Sequence, residues 1–169
     1  LKNTEIKLAD TRKTTPGLRN LEKYAFKCGG GINHRMGLYD AAMLKENHIA
    51  WSDNITNSIK RIRSDAPFTT HIIVEAENIS QAEEAILAGA DSILLDEISP
   101  NILKKNINYL REVSLKSNLK RNKSELIIEV SGINPDEIEK YLIKGINLIS
   151  TSSSTTKSKW IDFSMRYIS

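Results

Sequence analysis

Six short apolar runs, rich in β-branched residues and separated by segments carrying helix signals, set the strongest limit on what this chain can fold into. They are Ile6–Ala9, Ala41–Leu44, His71–Val74, Ser92–Leu95, Glu125–Ile128 and Ile146–Ile149. Strands that alternate with helices predict a parallel sheet joined by crossover helices, the α/β class. The punctuation between the runs agrees. Ser80 and Glu83 have the spacing of a capping box ahead of Ala82, Ala85, Ile86 and Leu87, and Gly89 supplies the stop. Ser99-Pro100 and Asn134-Pro135 each put a capping side chain before a proline at the first helical position. Asp136 and Glu137 suit the positive end of the second of these helices, and Gly145 ends it. Ile55, Ile59 and Ile62 share one face of residues 54–64. Thr14 or Thr15 is placed to cap a helix over residues 17–27. Lys116 to Lys123 reads as a solvated basic connection, and Ser150 to Ser158 as either a hydroxyl-rich anion loop or a flexible tail.

Composition removes several classes of function. The chain has 169 residues and a single cysteine, Cys28, so neither an internal disulfide nor a multi-thiolate zinc site can form. Its 24 basic and 21 acidic residues are interspersed and leave a net charge of +3, which gives no footprint for nucleic acid. Bilayer-length apolar runs and a leader pattern do not occur in it. The expectation is a cytoplasmic protein with no nucleic-acid or membrane partner. It starts at Leu1 rather than Met, which raises the expectation of a fragment.

Chemistry concentrates where parallel α/β folds put it, at the carboxyl ends of the strands. Four runs are followed directly by charge: Lys45, Glu75, Asp96 and Glu129. Burying charge there is costly unless it is paired or meets a ligand, so four cases together point to a site. The first run leads into Asp10-Thr11-Arg12-Lys13-Thr14-Thr15, a set of donors that suits carboxylate or phosphate. Three glycines, 29 to 31, precede Asn33, His34 and Arg35, where the backbone permits close approach and the side chains donate charge-assisted bonds. Glu75 and Asp96 fall on consecutive strands and can take a Mg²⁺-borne substrate or sugar hydroxyls. A glycosidase acid/base pair fits so cationic a pocket less well. His34, His48 and His71 lack zinc-ligand spacing, and no nucleophile elbow is present. Ser131 and Gly132, and the hydroxyls of residues 151 to 155, offer late-strand phosphate donors.

Six ordered segments carry a family resemblance: residues 10–19 (DTRKTTPGLR), 29–38 (GGGINHRMGL), 44–48 (LKENH), 74–78 (VEAEN), 94–97 (LLDE) and 129–132 (EVSG). The chain resembles the carboxylating nicotinate-nucleotide pyrophosphorylases, or quinolinate phosphoribosyltransferases, in their C-terminal barrel domain. That resemblance implies an incomplete, open TIM-barrel-like βα-barrel of about six parallel strands with outer helices, filling residues 1–169 as one domain. It implies Mg²⁺-dependent phosphoribosyl transfer from phosphoribosyl pyrophosphate to quinolinate, with loss of carbon dioxide, in NAD biosynthesis. By the match, Lys45, Glu75 and Asp96 are the catalytic positions, and Glu75 and Asp96 also face the metal. Substrate would be bound by these three together with Thr11, Arg12, Lys13, His34, Arg35, Ser131, Gly132, Ile133, Thr151, Ser152 and Ser153. The family works as a homodimer or larger homo-oligomer, and its N-terminal α/β domain, absent from this chain, lends an arginine to the partner's site. Poor turnover without that domain is the resulting expectation.

This sequence departs from the family where one glycine, not two, follows Ser131, where Ser152 replaces a glycine, and where no histidine stands near Thr156. Two other functions stay open on the sequence. One is a related phosphoribosyltransferase for another acidic heterocycle, and the other is a truncated, non-catalytic fragment.

Overall fold

The computed structural model of the chain describes residues 4–52, 54–121, 125–159 and 161–168. All six expected strands form: β1 (Lys7–Ala9), β2 (Ala41–Leu44), β3 (His71–Ala76), β4 (Ser92–Asp96), β5 (Ile127–Ser131) and β6 (Leu148–Ser150). They pair in parallel in the order β1-β6-β5-β4-β3-β2. That order is a sequential barrel opened at one place, between β1 and β2.

The gap is bridged by the glycine-rich segment. Ile32 forms an isolated parallel bridge to Ala9, donating its N–H to the Leu8 carbonyl at 2.9 Å and accepting from the Asp10 N–H at 3.2 Å. On the other side of the gap, Arg35 Nη1 donates to the Ala41 carbonyl of β2 at 2.9 Å.

Around the sheet lie α1 (Arg19–Cys28), α2 (Glu46–Trp51), α3 (Ile55–Asp65), α4 (Ile79–Ala88), α5 (Pro100–Arg121), a 3₁₀ helix (Pro135–Tyr141) and α6 (Ser153–Thr156). The strands alternate faces with period two. Ile72, Val74, Ala76, Ile93, Leu95, Ile128 and Val130 belong to the main core, together with Ile59, Ile86, Leu103 and Ile107 from the helices. Ala41, Ile73 and Leu94 cluster separately with Met43 inside the curve of the sheet.

Several local expectations change. Asn78, not Ser80, caps α4, its side chain accepting the Gln81 N–H at 2.9 Å. Glu83 instead takes the Tyr109 hydroxyl. Neither Thr14 nor Thr15 caps α1, which starts at Arg19 after Leu18 without a side-chain cap. Helix α5 runs through most of the basic stretch read as a connection, whose remainder, residues 122 and 123, lies outside the described residues. The segment after Asn134-Pro135 is a 3₁₀ helix, with Asn134 accepting the Asp136 N–H at 3.2 Å. Part of the Ser/Thr run winds into α6.

Strand β5 begins two residues later than expected. Arg111 ties down the segment just before it, its Nη1 donating to the Leu126 carbonyl at 2.6 Å and its Nε to the Gly145 carbonyl at 2.9 Å. The strand also runs on to Ser131, which puts Glu129 in the middle of β5, not at its end, and it is buried.

Candidate active site

Parallel pairing brings the carboxyl ends of all six strands to one edge. Thr11 to Lys13 follow β1, Lys45 follows β2, Glu75 is the penultimate residue of β3, and Asp96 and Ser131 end β4 and β5. Gly132 and Ile133 come next, and Thr151 to Ser153 follow β6, where the Thr151 N–H donates to the Ala9 carbonyl at 3.1 Å. Every residue expected at the site thus lies on or below this rim.

Lys45 and Glu75 form an ion pair at the mouth, the lysine side chain 42% exposed and the carboxylate 11%. The Lys45 backbone is fixed by His48, whose Nδ1 accepts its N–H at 3.0 Å. Glu75 titrates above the ordinary carboxyl value because burial penalises its charged form; Lys45 opposes this, and a hydrogen bond with Glu46 and the charge of Asp96 add to it. Glu46 moves the other way, held low chiefly by a backbone hydrogen bond, then by Glu75.

Arg35 is half-buried and its basicity is lowered, first by burial and then by the like charge of Arg12, while Asp40 and Glu75 act oppositely. Two guanidiniums held near one another are at a cost unless an anion joins them. Arg12 Nε is itself buried with no hydrogen-bond partner among the described residues. The arrangement is short of negative charge at one place, beside Arg12 and Arg35. Lys13 is exposed, and its N–H is bonded by Thr11 Oγ1 at 3.1 Å.

His34 is placed differently from the expectation of a free donor. Its peptide N–H donates to Asp10 Oδ1 at 2.8 Å and its carbonyl accepts from Lys23 Nζ at 3.0 Å. Its Nδ1 accepts the Arg35 N–H at 2.7 Å, and its Nε2 lies 3.2 Å from Glu129 Oε2. The protein therefore engages every polar atom of this residue. Asp10 and Lys23, a buried ion pair, were not among the expected site residues. Asp10 stood inside a quoted motif, but Lys23 gave no signal in the sequence of its helix.

Gly132 is required by geometry. Its φ of +70° is left-handed, and a Cβ there would lie 2.5 Å from Glu97 Cγ and 3.0 Å from Asp96 Oδ1. Glu97, at φ +54°, is the one non-glycine residue with positive φ among those described. Strain of this kind gathers at binding sites. Ser131 to Ile133 and Thr151 to Ser153 share the rim, and among the described residues no hydrogen bond ties them to Arg12, Lys13, Arg35 or Lys45.

A cavity of about 260 Å³ lies inside the sheet toward the amino ends of the strands, lined by His34, Arg35, Ala41, His71, Ser92 and Glu129 among others. A larger hollow of about 730 Å³ lies outside, against Leu44, Trp51, Arg61 and Asp65. Neither hollow is lined by Arg12, Lys45, Glu75 or Asp96, so the charged rim, not cavity volume, marks the candidate site.

A parallel α/β sheet curved into an open barrel, with cations and two carboxylates on its carboxyl edge, defines a TIM-barrel-like protein with a charged rim. The family described as "Quinolinate phosphoribosyl transferase, C-terminal domain" matches residues 1–166, and the chain belongs to it. The chain is 41% identical over 164 residues to the "Probable nicotinate-nucleotide pyrophosphorylase [carboxylating]" of Methanothermobacter thermautotrophicus, covering 96% of this chain and 56% of that protein. The protein of the same description from Bacillus subtilis is 41% identical over 165 residues, with 98% and 53% covered. The crystal structure of NadC from Streptococcus pyogenes superposes with a TM-score of 0.86 at 40% identity, over 99% of this chain and 55% of that one. This chain spans about half the length of the curated relatives it matches.

Proposed function

We propose that this chain carries the phosphoribosyl-transfer site of a carboxylating nicotinate-nucleotide pyrophosphorylase. Quinolinate and phosphoribosyl pyrophosphate would combine there to give nicotinate mononucleotide, pyrophosphate and carbon dioxide. The observation that carries this reading is the gathering of Arg12, Arg35 and Lys45 on the edge that also bears Glu75 and Asp96.

The chemistry asks for both signs of charge. A pyridine dicarboxylate and a sugar bearing phosphate and pyrophosphate repel one another, and fixed cations at the rim offset that repulsion. Arginine forks suit adjacent carboxylates, which supports Arg12 and Arg35 as the grip on quinolinate. Lys45 would turn from Glu75 toward the incoming anion. Positive charge then develops at the anomeric carbon as pyrophosphate departs and the pyridine nitrogen attacks. The freed Glu75 carboxylate and Asp96 would stabilise that charge. Once the ring nitrogen is alkylated, its positive charge stabilises the electron pair left on the ring carbon by departing carbon dioxide, and a proton from solvent fills that position, so loss of the carboxyl group needs no protein base.

Two carboxylates on adjacent strands suit Mg²⁺, which takes one or two protein carboxylates and fills its remaining positions with phosphate oxygens and water. Glu75 and Asp96 would hold it. Bound there, the ion would neutralise charge on the pyrophosphate leaving group. A homodimer, and completion of the site by the part of the relatives beyond this chain, belong to the same reading.

Calorimetry with quinolinate tests it, on this chain and on the Arg35→Ala, Lys45→Ala double variant, with nicotinate as the monocarboxylate control. The expected result is heat with quinolinate alone, lost in the variant, and at most slow carbon dioxide release after Mg²⁺ and phosphoribosyl pyrophosphate are added, because the part of the relatives that completes the site lies beyond this chain. Equal affinity for nicotinate would favour another acidic heterocycle, and equal binding by the double variant would remove the pocket assignment.

A further inference from the structure

We propose that Glu129 is a positioning residue that acts through His34 to hold the substrate-gripping segment 33–35 across the open side of the barrel. The inference deepens the function proposed above and rests on it for its link to quinolinate.

Glu129 is a poor choice for a merely structural position. It projects from the middle of β5 into the cavity and is 1% exposed, where an uncompensated carboxylate is costly. One oxygen, Oε2, meets His34 Nε2 at 3.2 Å, while Oε1 has no partner among the described residues. A hydrophobic side chain would fill the same space at lower cost, so the retained carboxylate calls for a reason.

The connections from His34 supply that reason. Because Nδ1 accepts the Arg35 N–H, the ring carries its proton on Nε2 when neutral, the atom facing Glu129. The ring is thus pinned from both sides, by a carboxylate from one wall and by the peptide of the neighbouring arginine. Arg35 in turn spans to β2 through the Ala41 carbonyl. The path from Glu129 to His34 to Arg35 to Ala41 crosses the barrel interior from β5 to β2. No ladder joins β1 to β2, so this side-chain path, with the Ile32 bridge, takes the place of strand pairing there. Asp10 and Lys23 clamp the backbone of His34, and Glu129 fixes its ring and so the direction of Arg35.

The experiment has two arms on the same chain. Proton NMR of the histidine ring should show a slowly exchanging, downfield Nε2 proton, assigned by its loss in His34→Gln. It is expected to persist in Glu129→Gln, whose amide oxygen can still accept, and to vanish in Glu129→Ala, with the fold of each variant checked by its amide spectrum. Absence of this proton in the folded wild-type chain, or its survival in Glu129→Ala, overturns the proposal whatever the second arm gives. Calorimetry with quinolinate should then give a Kd raised at least tenfold in Glu129→Ala and changed less than threefold in Glu129→Gln. Unchanged affinity in folded Glu129→Ala also overturns the proposal. If the wild-type chain binds no quinolinate, the proposed function is what fails, and the ring proton alone decides the role of Glu129.

Discussion

Lys23 reaches from α1 to pair with Asp10 at the end of β1, both side chains at most 4% exposed, and between them they hold the peptide N–H and C=O of His34. Asn33 Nδ2 adds a bond to the second Asp10 oxygen at 2.6 Å and one to the Lys23 carbonyl at 2.8 Å. Satisfaction of this kind is what allows an ion pair to persist out of water. The pair joins a helix, a strand and the gap-bridging segment through a few atoms.

Removing one partner leaves the other buried and uncompensated. Lys23→Met is expected to lower unfolding free energy by about 3–5 kcal/mol, and Asp10→Asn in Lys23→Met to recover part of it. Urea midpoints of the two variants check this. A single variant within about 0.5 kcal/mol of wild type, the range of an ordinary surface change, would show the pair to be dispensable.

Gly132 and Gly17 separate two costs of adding a methyl group. Both have positive φ, but a Cβ on Gly17 meets nothing within 4 Å, whereas on Gly132 it meets Glu97 and Asp96. Gly17→Ala should cost about 1–2 kcal/mol from backbone conformation alone. Gly132→Ala should cost about 1–3 kcal/mol more, because overpacking is added and the neighbouring backbone at Glu97 is already strained. Equal losses in thermal unfolding would count against steric control at Asp96.

The raised titration of Glu75 has a definite sign. Well below the ordinary carboxyl value of 4.5 both folded and unfolded chains are protonated there, and Glu75 contributes no pH dependence. As pH rises past 4.5 the unfolded chain ionises first, the folded chain binds more protons, and stability falls until Glu75 itself ionises. Glu75→Gln abolishes that decline, so its stability relative to wild type should rise from pH 4.5 upward and then level off. Urea unfolding at closely spaced pH values measures it, and a difference independent of pH would place the burial cost elsewhere.

Much of this was legible in the chain itself, for reasons that can be located. The strands declared themselves because β-branched residues such as Ile72, Ile73 and Val74 have nowhere to go but a buried sheet. Lys45, Glu75 and Asp96 were visible because charge directly after such a run has few innocent explanations. The α4 cap was misplaced since Asn78 and Ser80 are both good caps, and only tertiary structure sends Glu83 to Tyr109. Lys23 was hidden because a lysine in a helix reads as solvent-facing until the carboxylate it meets, thirteen residues earlier, is brought over it. Glu129 reads from the sequence as a charge at a strand end because the apolar run stops at Ile128, whereas the ladder continues through Val130 to Ser131 opposite Asp96. The shared use of His34 depends on four separate segments, and no spacing encodes it.

The strand order also bears on how the molecule is assembled. Strands β2 to β6 each find their neighbour in the next strand along the chain, whereas Lys7 must find Leu148. Closing so long a loop is entropically expensive and slow relative to the local pairings. The strand that leads into Arg12 and Lys13 is therefore expected to dock after the locally paired strands have formed. The loop of residues 10–13 would then reach its folded position only once β6 has formed, because β6 is the strand against which β1 is held.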